Sequence, residues 1–147
     1  MTTLDRTMTQ QVAQAVTACQ QRRTGHPPKA VTVVLSDDTL VVTLYEALSP
    51  AEKALANTPE GAAQLQEFHR QLFQNSVELL RQEIRRITGV GVGEAAGEVE
   101  ATAGAAVHAF TTGTMVQVFQ LAGRISAEVW NARGPGNQSL TTEGVKC

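Results

Sequence analysis

The stretch from Ala30 to Val90 constrains this chain more than any other part: AVTVVLSDDTLVVTLYEALSPAEKALANTPEGAAQLQEFHRQLFQNSVELLRQEIRRITGV. Two runs rich in β-branched residues, from Val31 to Leu35 and from Leu40 to Tyr45, flank Ser36-Asp37-Asp38-Thr39. A short polar link between two apolar runs predicts a β-hairpin. With no Asn-Gly or Asp-Gly present, a four-residue loop is expected in place of a tight primed turn. Val31, Val33 and Leu35 share one side of the first run, and Leu40, Val42 and Leu44 share one side of the second. One sheet face therefore needs a cover. Ser49-Pro50-Ala51-Glu52 then opens a helix. Ser49 can accept from an early amide, Glu52 can reach back, and Pro50 sits where its missing donor costs nothing. Asn57-Thr58-Pro59-Glu60-Gly61 interrupts that helix and starts another, with Thr58 as cap and Pro59 as first helical residue. Leu65, Phe68, Leu72, Leu79, Leu80, Ile84 and Ile87 mark its apolar face down to Thr88-Gly89. A helix of that span is about 40 Å long, enough to cover the sheet.

Upstream, Met8, Val12, Ala15, Val16 and Cys19 form one stripe between Thr7 and Gln21, which predicts an amphipathic helix. Gly25, Pro27 and Pro28 end it. Downstream of Gly89, the segments from Val107 to Phe110 and from Met115 to Leu121 read as strands, with Gly113-Thr114 as a turn. Val90 to Val99 is a weaker strand, because its glycines lose more backbone entropy on ordering. Gly123 to Ala132 is expected to form a last helix with Ile125, Val129 and Trp130 on one side. The expected architecture is one α+β domain over residues 1–133 and a disordered tail over residues 134–147. Its antiparallel sheet has about four strands, covered by the long helix and the N-terminal helix. Such a sheet leaves an edge or a face to bury, so a homodimer is expected.

Composition narrows the function classes. The chain has 147 residues, which suits one domain, and a formal net charge of -2. That balance gives no whole-molecule attraction to nucleic acid or to an anionic membrane. No apolar run approaches the roughly 20 residues of a membrane span, so direct membrane insertion is not expected. The start, MTTLDRTMTQQ, lacks the basic-then-apolar pattern of a signal peptide. Cys19 lies on a helix stripe and Cys147 is the last residue, so a disulfide between them is not expected. A cytoplasmic protein is the expectation.

No catalytic constellation stands out, and no cofactor is implied. GVGVGE, from Gly89 to Glu94, follows a helix, whereas a phosphate-cradling glycine loop precedes one. His26, His69 and His108 are far apart and lack metal-ligand spacing. His69 sits beside Phe68, near the apolar face, where a partly buried, hydrogen-bonded histidine is expected. Asp37 and Asp38 read as turn formers. Arg81, Arg85 and Arg86 cluster near a helix end with Glu78 and Glu83. They complement the helix dipole and are the best candidates for binding an anion or an acidic partner. His26 and Lys29 flank Pro27-Pro28, a stiff connector that could face a ligand.

The order of motifs resembles a known family. Gly25-His26-Pro27-Pro28-Lys29 is followed by a V-x-V-x-L strand and a D-x-L-V-V-x-L strand. Next comes Leu48-Ser49-Pro50-Ala51-Glu52-Lys53-Ala54-Leu55, and Thr88-Gly89-Val90 closes the long helix. From about Val12 to Phe119 the chain is similar to the DUF2294 family, also called MpsC-like or YbcI-like small proteins. The resemblance implies an α+β fold without a known catalytic residue set. It implies association with a sodium-dependent, membrane-potential-generating system related to bicarbonate uptake machinery. The function it suggests is that of a non-enzymatic accessory or regulatory protein, with a membrane transport or regulatory protein as partner. The alternative is a small-molecule or anion-binding module. The family's closing V-x-V-F-x-L strand fits the segment from Val116 to Leu121, and Val107-His108-Ala109-Phe110 fits almost as well, which leaves room for an insertion or an extra strand.

Overall fold

A computed structural model describes residues 7–93, 105–110 and 112–132. Helix α1 (Met8–Thr24) begins at a reciprocal cap. The Thr7 hydroxyl accepts from the Gln10 amide, and the Gln10 side chain accepts from the Thr7 amide. Gly25 ends it at φ 72°, and its amide donates to the Gln21 carbonyl. The hairpin follows as β1 (Ala30–Ser36) and β2 (Thr39–Tyr45). Ser36 pairs with Thr39, so the loop is two residues long and not four. Asp37 takes the positive φ of 62° that the first turn position needs, a conformation Asp tolerates better than most residues.

Helices α2 (Pro50–Leu55) and α3 (Pro59–Thr88) start where their capping signals lie. Ser49 accepts from Glu52, and Thr58 accepts from Gly61. Gly89 ends α3 at φ 80°. Strands β3 (Ala105–Ala109) and β4 (Met115–Gln120) and the short helix α4 (Ala127–Asn131) complete the described residues. The sheet is antiparallel throughout, in the order β1-β2-β4-β3. The two C-terminal strand candidates are therefore both strands, and the later one takes a central place beside β2. Of the weak strand expected from Val90 to Val99, Val92 bridges Leu121; residues 94–99 lie outside the described residues, as does the tail from 134 to 147.

Leu40, Val42, Leu44, Met115 and Phe119 line the covered face of the sheet. Helix α1 lies along β1, and α3 lies along β3. The inner face of α3 steps through Gly61, Leu65, His69, Phe73, Val77, Leu80, Ile84 and Ile87. Phe68, expected on that face, is 49% exposed, and Leu72 and Leu79 are half-buried. Leu65, Leu80, Ile84 and Ile87 are buried as expected; in the middle of the helix the buried residues are His69 and Phe73, one position after Phe68 and Leu72 and about 100° around the helix. Gly61 packs closely against the end of α2. In α4 only Trp130 is buried; Val129 faces out, because a helix this short presents one residue per side. Cys19 is buried on α1, and the expectation of no disulfide to Cys147 falls on a residue outside the described ones. No helix among the described residues is long and apolar enough to cross a membrane.

Candidate functional site

Among the described residues, one buried imidazole–carboxylate pair lies where α2 meets α3. His69 is 3% exposed on the inner face of α3, and its Nε2 lies 2.7 Å from Oε2 of Glu52. The other Glu52 oxygen accepts from the Ser49 amide at 2.8 Å. Burial alone would raise the Glu52 pKa. Hydrogen bonds from the Ser49 amide, His69 and the Ser49 hydroxyl outweigh it and hold the carboxyl below its ordinary value. The edge of the Phe68 ring closes over the imidazole, with centroids 5.2 Å apart. An imidazole beside a carboxylate is half of an acid–base machine. Here both carboxylate oxygens are engaged and the ring is buried, so the pair serves as a clamp between two helices. A hydrogen-bonded His69 was legible from its place beside the apolar face. Its partner was not, because Glu52 already carries a complete local explanation as a capping residue.

The residues singled out from sequence fall in separate places. Arg81 Nε lies 3.7 Å from Glu78, and Arg86 pairs with Glu83. Arg85 is exposed in the last turn, where a cation favours the dipole. The loop from Gly25 to Lys29 lies elsewhere. Arg23, just before it, donates to the carbonyl of Asn75, about 15 Å of helix rise from Arg85. The His26 amide donates to the Thr24 hydroxyl. The Lys29 amide donates to the Tyr45 carbonyl, and its ammonium lies 4.0 Å from Glu46 with both side chains exposed. Such a pair contributes little.

Two larger surfaces had no sequence signal, because each depends on how elements pack. One is a groove of about 740 Å³ between α1 and the start of β1, lined by Ala13, Gln14, Thr17, Gln21, Lys29 and Val31 among others. Its volume is within the range of small-ligand sites. The other is the sheet face turned away from the helices. Across it run two rows, Val34–Val41–Val118 and Thr32–Thr43–Val116–His108, read from the pairing register. Neither row holds a charged side chain unless His108 is protonated. Val34 is 56% exposed in mid-strand, and Tyr45 and Phe110 are exposed beside the rows.

The family model described as Na+-translocating membrane potential-generating system (MpsC) matches residues 5–114, and the chain belongs to that family. The match takes in α1 through β3 and stops short of β4. No curated protein and no solved structure matches the chain.

Proposed function

We propose that this member of the MpsC family is a non-enzymatic, cytoplasmic accessory protein of a sodium-translocating, membrane-potential-generating system. It works through protein contacts, beginning with a homodimer. The observation that carries the reading is the bare sheet face. Valines in mid-strand, with no charge among them and no helix of the described residues over them, favour burial against another apolar surface. A two-fold pairing of this face with itself needs no second surface. Four strands of five to seven residues, about 17–23 Å long and spaced about 4.8 Å apart, give a flat footprint of about 400 Å² per copy. That is about half of what a standard interface takes from each partner, so the dimer is weak and concentration-dependent. The Glu52–His69 clamp supports the non-enzymatic reading, because its geometry is accounted for by helix capping and packing.

The test is capture from the native cell's membrane fraction with wild-type protein and with Val34→Lys. Components of the sodium-translocating system retained by the wild type and lost by the variant are the expected result. Equal retention by both would remove the sheet face from the contact. A second reading, a small-molecule or anion-binding module, has its own support in the groove bordered by Arg22 and Lys29. It predicts a rise in thermal stability with added anions, because a ligand that binds only the folded state stabilises it. That rise should be lost in Lys29→Gln.

A further inference from the structure

A small, partly enclosed cavity of about 20 Å³ lies where α1, α3 and the sheet meet. Apolar side chains such as Leu72, Phe73 and Met115 share its walls with five polar residues: Gln20 and Arg23 from α1, His69 and Ser76 from α3, and Gln117 from β4. Three of the five have an unsatisfied buried atom: Gln20 Nε2, Arg23 Nε and Gln117 Oε1. Gln20 is 8% exposed and Gln117 is 4% exposed, so bulk water does not serve them. Buried polar atoms in folded proteins are rarely left without partners, and three on one cavity call for a shared one.

We infer that this cavity is a binding site for a single ordered water molecule. Size supports it: about 10–15 Å³ of such space holds one water. Chemistry supports it as well. The orphans are two donors and one acceptor, and a water accepts two hydrogen bonds and donates two. It accepts from Gln20 and Arg23 and donates to Gln117. For its second proton the cavity wall offers an acceptor of the right kind in Ser76, whose hydroxyl donates to the Leu72 carbonyl at 3.0 Å and keeps its oxygen lone pairs for accepting. A monatomic cation would face the Arg23 guanidinium, and a monatomic anion would face the Gln117 oxygen. Only a ligand that both donates and accepts satisfies the whole set. The bound water joins α1 to β4 across the core.

The test is a water–protein Overhauser experiment on the full chain, read at the side-chain amide protons of Gln20. The expected result is a cross-peak with the sign of a long-lived internal water in the wild type. It should be lost in Gln117→Leu, which removes the acceptor and fills the space. Should Gln117→Leu fail to fold, Gln20→Leu is read instead by oxygen-17 relaxation dispersion, where the count of long-lived waters should fall by one. No cross-peak at Gln20 in the wild type overturns the inference. So does a cross-peak that survives in folded Gln117→Leu, or an unchanged water count in Gln20→Leu. Bromide density in this cavity, in crystals grown with bromide, would replace the water with an anion site and overturn it too.

Discussion

Replacing Gly61 by Ala should destabilise this protein, although helix propensity alone argues the opposite. Gly61 lies in the first turn of α3, and in a helix Ala is favoured over Gly by about 1 kcal/mol. A Cβ built on Gly61, however, would lie 1.9 Å from the Leu55 carbonyl oxygen and 3.0 Å from Thr58 Oγ1. Comfortable contact needs about 3.5 Å, so the end of α2 would have to retreat by about 1.5 Å. The obstacle is backbone, which cannot swing aside as a flexible side chain would. The Thr58 hydroxyl is also the cap that accepts from the Gly61 amide at 3.0 Å. Overpacking of this kind costs about 1–3 kcal/mol, and a weakened cap adds about 1 kcal/mol. Set against the propensity gain, the net loss is about 1–3 kcal/mol. Urea denaturation of Gly61→Ala beside Ala63→Gly, an exposed control on the same helix, gives the comparison. Ala63→Gly should lose about 1 kcal/mol through propensity alone. A Gly61→Ala variant as stable as wild type, or more so, would refute the close approach of α2 and α3.

The clamp makes a second prediction. Glu52→Ala leaves the buried His69 ring and the Ser49 amide without an acceptor, and should cost about 2–4 kcal/mol. Ser49→Ala should cost about 1 kcal/mol; equal losses in the two variants would show that the His69 contact contributes nothing. Because the Glu52 pKa is depressed on folding, its stabilisation is complete above the ordinary value of 4.5 and fades as pH falls through the lower folded value. The gap between wild type and Glu52→Gln should therefore narrow on acidification in urea titrations. Phe73→Ala should cost about 3–5 kcal/mol, whereas Phe68→Ala on the outer side should cost less than about 1.5 kcal/mol, and the reverse order would mean that α3 is rotated. Changing Arg81, Arg85 and Arg86 together to Gln removes partly buried i,i+3 pairs within one helix, worth about 0.2–0.5 kcal/mol each, so the fold should survive. If this group binds anions, the salt dependence of that binding should flatten in isothermal titration.

What was legible in the sequence was local. The caps at Ser49, Thr58, Gly25 and Gly89 each depend on a few neighbouring residues, and those residues are diagnostic. The hairpin was legible too, although its turn was not, because Asp37 supplies the positive φ usually signalled by Asn or Gly. The inner stripe of α3 was legible at Leu65, Leu80, Ile84 and Ile87, but its middle was offset by one position because Phe68 and Leu72 look as apolar as Phe73 and Val77. What separates them is which side of α3 meets α1 and the sheet, a matter of non-local packing. The central place of β4 also depends on non-local pairing. The bare valine rows emerge only once register places Val34, Val41 and Val118 side by side. The polar cavity was out of reach for the same reason, since Gln20 and Gln117 meet only in the fold.

The most direct measurement is sedimentation velocity over a concentration series from micromolar to millimolar, with wild-type chain and Val34→Lys. Val34 is more than half exposed, so the substitution should leave the helical circular dichroism unchanged. Wild-type protein should pass from monomer to dimer as concentration rises, and Val34→Lys should stay monomeric, because a charge in the valine row would be buried without a partner. Wild-type chain that remains monomeric across the whole range would contradict the account, and so would a dimer that Val34→Lys does not weaken.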